Sequence, residues 1–133
     1  MENCIFCKIV ENKIPSVKIY EDKECLTVLD AYPNLEGQTL ILSKKHYTSY
    51  PFDVPDDIYN KALLVAKKIG KSLDKALSTR TCLVIEGFHI DHFHIKLFPL
   101  KKGDSLSTSL ARLGSLTKTE DLNKTAEKIR RFL

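Results

Sequence analysis

The chain has 133 residues, which is enough for one compact domain and too few for two ordinary ones. Apolar residues make up 43% and charged residues 29% of it, a balance typical of globular proteins rather than disordered or membrane-embedded ones. The net charge of +4 is modest and its lysines are scattered, so anionic small ligands are favoured and a nucleic-acid-binding module is poorly supported.

The N-terminal segment lacks the long apolar stretch of a secretory signal, and no apolar run reaches membrane-spanning length. We therefore expect a cytoplasmic protein with no membrane partner, whose four cysteines are reduced thiols. Cys25 and Cys82 each begin an apolar run, where a small buried side chain is the expected role. Residues 5–10 are short and apolar, and the sequence predicts a short helix there, closed by Pro15.

Three strands are predicted in the first third of the chain. Residues 17–20 alternate apolar and polar side chains, and residues 25–29 are apolar and rich in strand-forming types. The polar run 21–24 between them suits a hairpin turn. A loop over 30–37 contains Pro33 and glycine, and the third strand follows at 39–42.

A long helix is predicted next, with Asp53 as its cap and Pro55 in its first turn. Its apolar positions recur at three- and four-residue spacing and form one buried stripe: Ile58, Ala62, Ala66, Ile69, Leu73 and Ala76. Two further strands are predicted at 82–85 and 93–100, joined through a short turn.

The segment after residue 100 is predicted to be a loop containing Gly103 and Gly114, followed by a helix whose capping box runs from Thr117 to Glu120. The apolar positions of this helix should face the body of the protein or a partner subunit: Leu122, Ala126, Ile129 and Leu133. The predicted fold is α+β, an antiparallel sheet of about five strands with a long helix across it and a C-terminal helix. We expect one domain over 1–133, with a tail at 101–133 to which the sequence assigns no role.

The fifth predicted strand carries the most informative pattern. Alternate residues of an extended strand point the same way, so His92, His94 and Lys96 share one face while the apolar residues between them face the core. Such a row of nitrogen groups can bind a metal or meet a phosphate; a solvated strand face remains the third interpretation. Gly87, just upstream, would let a backbone approach an anion closely, which favours a functional site.

Imidazole chemistry suits attack on phosphorus. With an unperturbed pKa of about 6.5, the ring is mostly neutral and nucleophilic at cellular pH. Attack gives a covalent phospho-histidine intermediate, which divides one difficult displacement into two easier steps. The second ring nitrogen should donate its hydrogen to an acceptor such as a backbone carbonyl. A neighbouring lysine can neutralise charge on the phosphoryl oxygens or the leaving group.

The segment His92-Phe93-His94-Ile95-Lys96-Leu97-Phe98 resembles the motif of the histidine triad (HIT) family, in which three histidines alternate with apolar residues. The similarity covers roughly the first hundred residues and keeps the family's order and spacing: Cys4-Ile5-Phe6-Cys7-Lys8-Ile9, Ile14-Pro15, Tyr20-Glu21-Asp22, Leu29-Asp30 and Lys44-Lys45-His46. The resemblance implies a hydrolase that cuts a phosphoanhydride or phosphoramidate at the α-phosphorus of a purine nucleotide or nucleotide conjugate.

The resemblance also implies residue roles. His94 is the nucleophile that takes up the nucleotidyl group, with His92 and Lys96 as the other catalytic residues. Asp30 would hold the ribose hydroxyls, although the residues alone indicate only an aspartate that begins a turn. The remaining nucleotide contacts implied are Ile5, Phe6, Ile9 and Val28 around the base. Gly87 is expected near the phosphate from its backbone freedom, and His89 because it stands where the family commonly has serine or threonine. Family members are commonly homodimers formed through the long helix and a strand.

Four departures from the family pattern keep alternatives open, the last being that the tail after Leu100 has no clear counterpart in the family. Lys96 replaces the third motif histidine, and a lysine ammonium should stabilise negative charge better than it gives up a proton. The loop before the motif is shortened to Glu86-Gly87, and Gln38 stands where histidine is usual, which removes one possible supporting partner. A nucleotidyltransferase or phosphorylase and a non-catalytic nucleotide-binding adaptor are therefore the competing interpretations.

The pair Cys4-x-x-Cys7 fits a redox motif poorly, because it does not follow a strand as in thioredoxin-like proteins. A zinc site needs two further ligands. Family members with the same cysteine pair bind zinc through a histidine after the basic pair and through the first motif histidine, which implies Cys4, Cys7, His46 and His92. Four protein ligands would make a closed, structural zinc site; two free thiols are the alternative.

Overall fold

A computed structural model describes residues 3–111 and 114–133. Its strands are β1 (Lys18–Glu21), β2 (Cys25–Leu29), β3 (Thr39–Ser43), β4 (Arg80–Val84) and β5 (His94–Leu100). Its helices are α1 (Ile5–Val10), α2 (Asp56–Leu77), α3 (Leu106–Ala111) and α4 (Thr119–Arg130), with a 3-10 turn at Pro51–Asp53. All strand pairs are antiparallel, in the order β1-β2-β3-β5-β4, so the predicted α+β fold is confirmed.

The sheet is covered on both faces, because β2 and β3 are buried at every position. One face packs against α2 and α4, and β5 contributes Ile95 and Leu97 to this larger core, together with Phe93 just before the strand. The opposite face packs against α1 through a smaller cluster that includes Phe6. Strand alternation therefore turns His94 away from the larger core and towards α1.

The register of the sheet fixes the position of the motif strand. In β5, His94 pairs with Leu42 and Lys96 with Leu40, both on β3. On its other side Lys96 pairs with Val84 of β4, two residues before Glu86. The motif strand thus lies inside the sheet, held by backbone hydrogen bonds on both edges. A side chain projecting from it has little positional freedom.

Both long helices begin later than predicted. Pro55 is the N-cap of α2 and makes no side-chain cap, while Asp53 ends the preceding 3-10 turn. Lys118 is the N-cap of α4. The predicted capping box is wrong because Thr117 is held elsewhere: its N–H donates to the Ala31 carbonyl at 2.9 Å.

Two expectations for the tail are also corrected. The predicted loop contains α3, whose first turn is supported by the Ser105 hydroxyl accepting from the Thr108 N–H; positions 112 and 113 of that loop lie outside the described residues. Leu133 stays 41% exposed because α4 ends at Arg130, whereas Leu122, Ala126 and Ile129 are buried as predicted. Within the described ranges, no helix is both long and apolar enough to cross a membrane.

Candidate active site and metal centre

His94 begins β5 and is only 4% exposed, yet its side chain lines the wall of a cavity of about 520 Å³. The hydrogen bonding of the ring defines its tautomer. Nδ1 lies 2.6 Å from the carbonyl oxygen of His92, and since a carbonyl only accepts, Nδ1 carries the hydrogen. Nε2 therefore keeps its lone pair, as required for attack on phosphorus.

The surroundings of His94 keep its ring uncharged. Burial lowers the pKa of His94, and the Lys96 ammonium lowers it further. The hydrogen bond to the His92 carbonyl and the carboxylates of Glu86 and Asp30 act in the opposite direction, but burial dominates. The ring is thus neutral at neutral pH, and a neutral imidazole is the nucleophilic form.

The cavity beside His94 has an apolar region large enough to enclose a flat ring system. Most of the apolar side chains on its wall come from α1, from β2, from β3 and from the segment that precedes β1: Ile5, Phe6, Ile9, Ile14, Pro15, Val17, Val28, Leu29 and Leu40. This set includes all four residues predicted to enclose the base. Their contact with a base remains a prediction.

Asp30 lies on the same cavity wall, and neighbouring groups orient its carboxylate. The Gln38 side-chain amide donates to Asp30 Oδ2 at 2.9 Å, and the Tyr32 N–H donates to Oδ1 at 2.9 Å. Gln38 is itself fixed, because its Oε1 accepts from the Asn34 N–H at 2.8 Å. The expectation that Gln38 removes a supporting partner is therefore corrected: this glutamine supplies one.

Lys96 lines the cavity one strand step beyond His94, as the alternation predicted. Its ammonium lies 3.8 Å from a carboxylate oxygen of Glu86, which is also on the cavity wall. The second Glu86 oxygen accepts from the Phe88 N–H at 3.2 Å. Sequence reasoning treated Glu86 only as part of a shortened loop; the antiparallel pairing that brings it beside Lys96 becomes visible only with the register.

The tail supplies part of the same cavity, which nothing in the sequence indicated. Four of its residues form what we call the C-terminal wall: Leu116, Thr117, Thr119 and Leu122. The backbone bond from Thr117 to Ala31 attaches this wall to the loop that follows Asp30. Because Leu122 also belongs to the larger core, the start of α4 is fixed to the body of the protein.

Cys4, Cys7, His46 and His92 form a compact Cys/His cluster next to the cavity, with their ligand atoms all within 4.8 Å of one another. His92 Nδ1 lies 3.3 Å from Cys4 Sγ, 3.4 Å from Cys7 Sγ and 3.2 Å from His46 Nδ1. Cys7 Sγ lies 3.2 Å from His46 Nδ1. All four cysteines of the chain are free thiols, so no disulfide competes for these sulfurs.

The cluster fits a tetrahedral zinc ion. Zinc–sulfur bonds of about 2.3 Å and zinc–nitrogen bonds of about 2.0 Å place neighbouring ligand atoms roughly 3.3 to 3.8 Å apart, close to the spacings found here. The His92 Nε2–H donates to the Ser43 carbonyl at 2.7 Å, so its Nδ1 carries a lone pair directed at the thiols. Burial lowers the pKa of His92, which favours the neutral form that ligates metals.

Two predicted site residues lie elsewhere than expected. The His92 ring does not line the cavity, because its Nδ1 faces the cluster and its Nε2 faces the Ser43 carbonyl. His92 contacts the cavity residue His94 through its backbone carbonyl, which accepts from His94 Nδ1. Gly87 is also not on the cavity wall. Its carbonyl accepts from the Ser49 hydroxyl at 2.8 Å, and a Cβ there would lie 2.5 Å from the Ser49 Cβ, so the glycine serves close packing. His89 does line the cavity and is exposed.

The chain is similar in sequence to several known proteins and in structure to several solved ones. Adenosine 5'-monophosphoramidase HNT1 of Saccharomyces cerevisiae is 37% identical over 100 residues, covering 72% of this chain and 61% of that protein. Adenylylsulfatase HINT3 of Arabidopsis thaliana is 34% identical over 140 residues, covering 98% of this chain and 70% of that protein. The crystal structure of a Hit-like protein from Bartonella henselae superposes with a TM-score of 0.85 at 28% identity, covering 100% of this chain and 98% of that one.

A family model for the HIT domain matches residues 11–103, which contain the motif strand, Asp30 and His46. The C-terminal wall lies beyond this match, so it is an addition to the part of the chain that the family model describes. The match covers well over half of the 133 residues, and the chain belongs to the HIT domain family.

Proposed function

We propose that the protein is a nucleotide hydrolase that acts at the α-phosphorus of a purine nucleotide conjugate through a nucleotidyl intermediate on His94. One observation carries the proposal: a buried, neutral imidazole presents an unprotonated Nε2 at a cavity of nucleotide size. Two relatives support the reaction class, since one is named an adenosine 5'-monophosphoramidase and the other an adenylylsulfatase.

The first chemical step forms a bond between His94 Nε2 and the α-phosphorus. The bond from phosphorus to the leaving group breaks, and the leaving group departs with that electron pair. During attack the ring becomes positively charged, and the Nδ1 hydrogen bond to the His92 carbonyl stabilises this charge. Lys96, on the same wall, offsets the negative charge of the phosphoryl oxygens.

The second step releases the nucleotide. A water oxygen bonds to phosphorus, the bond from phosphorus to Nε2 breaks, and His94 regains its lone pair while the water gives up a proton to solvent. Both displacements occur at the same phosphorus, with Nε2 first as the attacking and then as the leaving atom, so the same groups stabilise both transition states. The product is the nucleoside monophosphate.

The cavity also accounts for nucleotide binding. Asp30 offers carboxylate oxygens to the ribose hydroxyls, and the Gln38 amide restricts the rotation of that carboxylate. The apolar walls around Phe6 and Val28 enclose the base, which gains by leaving water. His89 lines the same cavity, which supports assigning it to the phosphate.

We further propose that the Cys/His cluster holds one structural zinc ion. Two thiolates and two imidazoles would complete a tetrahedral shell with no open position, so the ion braces the fold and leaves phosphorus chemistry to His94. The brace would tie α1 to the backbone that orients the nucleophile, since His92 contributes both a ligand nitrogen and the carbonyl that accepts from His94. Thiolate ligands need a reducing compartment, which supports a cytoplasmic location.

A trapping experiment tests the mechanism. The protein is mixed with radiolabelled adenosine 5'-phosphoramidate, quenched at alkaline pH within milliseconds, digested and mapped by mass spectrometry. We expect one adenylyl group on the peptide containing His94, with label that chases into adenosine monophosphate. Label on another residue, or turnover without any covalent adduct, contradicts the proposed intermediate.

We propose that two chains associate through β4 and the neighbouring flank of α2. β4 lies at the sheet edge, its Leu83 is 44% exposed, and a Cβ added at Gly70 on α2 would meet nothing within 4 Å. An open strand edge beside an uncovered flank is suited to pairing with a second copy. Light scattering should give twice the mass of one chain, and Leu83→Arg should reduce it towards one; a monomeric wild-type protein refutes the dimer.

A further inference from the structure

The charged side chains on the cavity wall carry more negative than positive charge, although a site that accepts phosphate is expected to be positive. Among the described residues on its wall, the charged side chains are Asp30, Glu86 and Lys96, two carboxylates against one ammonium. A pocket lined in this way does not favour additional negative charge on a substrate.

Glu86 is the carboxylate that faces the reacting end. Its Oε1 lies 3.8 Å from the Lys96 ammonium, and its Oε2 is fixed by the Phe88 N–H at 3.2 Å. Lys96 is one strand step from His94, and both members of the pair line the same cavity. We therefore assign the leaving group to this end of the cavity. Asp30 is different, since Gln38 and Tyr32 hold its oxygens on the side assigned to ribose.

We propose that Glu86 selects the leaving group: by offsetting Lys96, it favours amine leaving groups and disfavours anionic ones such as sulfate. This inference rests on the proposed function, because it concerns the same displacement at the α-phosphorus. Glu86 is a specificity-determining residue in this proposal, and Lys96 is its counterpart.

The chemistry of the two leaving groups explains the selection. When the phosphorus–nitrogen bond of a phosphoramidate breaks, the amine takes the electron pair and one proton from solvent, so positive charge develops on nitrogen as the proton arrives. When the phosphorus–oxygen bond to sulfate breaks, the electron pair remains on oxygen and sulfate departs as a dianion. A carboxylate beside the departing atom stabilises the first transition state and opposes the second.

The test compares two substrates in wild type, Glu86→Gln and Lys96→Gln. For Glu86→Gln we expect kcat/KM for adenosine 5'-phosphosulfate to rise about tenfold relative to that for adenosine 5'-phosphoramidate, a size consistent with one partly exposed charge near the reacting atoms. Lys96→Gln should shift the ratio the opposite way. Glu127→Gln is the matched control, since Glu127 is exposed on α4 outside the cavity, and its ratio should equal that of wild type.

A binding measurement separates this proposal from the proposed function. In a His94→Asn background, calorimetry gives the Kd of adenosine 5'-phosphosulfate with and without Glu86→Gln, and we expect tighter binding by about fivefold when the carboxylate is removed. An unchanged Kd together with an unchanged kcat/KM ratio overturns the role of Glu86. If the binding shift is found but wild-type protein turns over neither substrate, the charge selection is supported and the proposed hydrolase is refuted.

Discussion

His94→Asn is expected to lower kcat for adenosine 5'-phosphoramidate hydrolysis by at least about 10³-fold, the scale reported for loss of an enzyme nucleophile. Asparagine can keep a hydrogen bond to the His92 carbonyl, yet it has no ring nitrogen to attack phosphorus. Binding should persist, since the apolar walls and Asp30 are unchanged, so KM should vary much less than kcat.

The measurement is steady-state release of adenosine monophosphate, with calorimetric nucleotide binding and melting temperature recorded on the same preparation. His94→Ala provides a second variant and should be equally inactive, although it also removes the edge contact between the His94 and Phe6 rings, whose centroids lie 4.8 Å apart. If the folded His94→Asn variant keeps a kcat within about tenfold of wild type, His94 is not the nucleophile and another group must attack phosphorus.

Much of this site was predictable because strand periodicity is a local property. The alternation of His94 and Lys96 with Ile95 required only that the segment be extended, and the structure places the first two on the cavity wall and the third in the larger core. The position of the apolar residues of α1 on the cavity wall was likewise predictable, because a short amphipathic helix directs them to one side. Predictions of this kind succeed where the backbone alone fixes the direction of a side chain.

Other features depend on contacts between distant parts of the chain. His92 should share the face of His94 by periodicity, but β5 begins only at residue 94, and the backbone before it turns the His92 ring to Ser43 and the cluster. The pairing of Glu86 with Lys96 requires knowledge of the strand register. The C-terminal wall is held by long-range contacts and has no local sequence signal: Thr117 bonds to Ala31, 86 positions away, and Leu122 packs into the larger core.

The Cys/His cluster and the nucleophile share one structural element, which links stability to catalysis. Phe6 packs edge-on against both histidine rings, at centroid distances of 5.9 Å to His92 and 4.8 Å to His94. Because α1 carries Phe6 as well as Cys7, any loosening of α1 changes both the Cys/His cluster and the cavity wall beside His94. Damage to the cluster should therefore reach the cavity around His94, even though none of the four cluster residues lines that cavity.

Cys7→Ser is accordingly the variant with the second largest expected effect. A serine hydroxyl is a poor zinc ligand at neutral pH, so we expect zinc content to fall from one equivalent per chain to well below half. Loss of the ion removes binding energy that the folded state gains over the unfolded state, and the melting temperature should fall by about 10 °C or more, roughly 3 kcal/mol for a domain of this size. Elemental analysis and thermal unfolding of zinc-loaded protein measure both effects.

Cys82→Ser is the matched control, because Cys82 lies on β4 outside the cluster. The Cys82→Ser protein should keep the zinc content of wild type. A strong chelator should lower the melting temperature of wild type to near that of Cys7→Ser and leave the variant nearly unchanged, since both treatments remove the same brace. Chelation should also reduce kcat, because α1 and the His92 carbonyl then hold His94 less firmly. Wild-type protein that carries no zinc after purification with added metal, and melts at the same temperature with and without chelator, would instead leave Cys4 and Cys7 as ordinary thiols packed against two histidines.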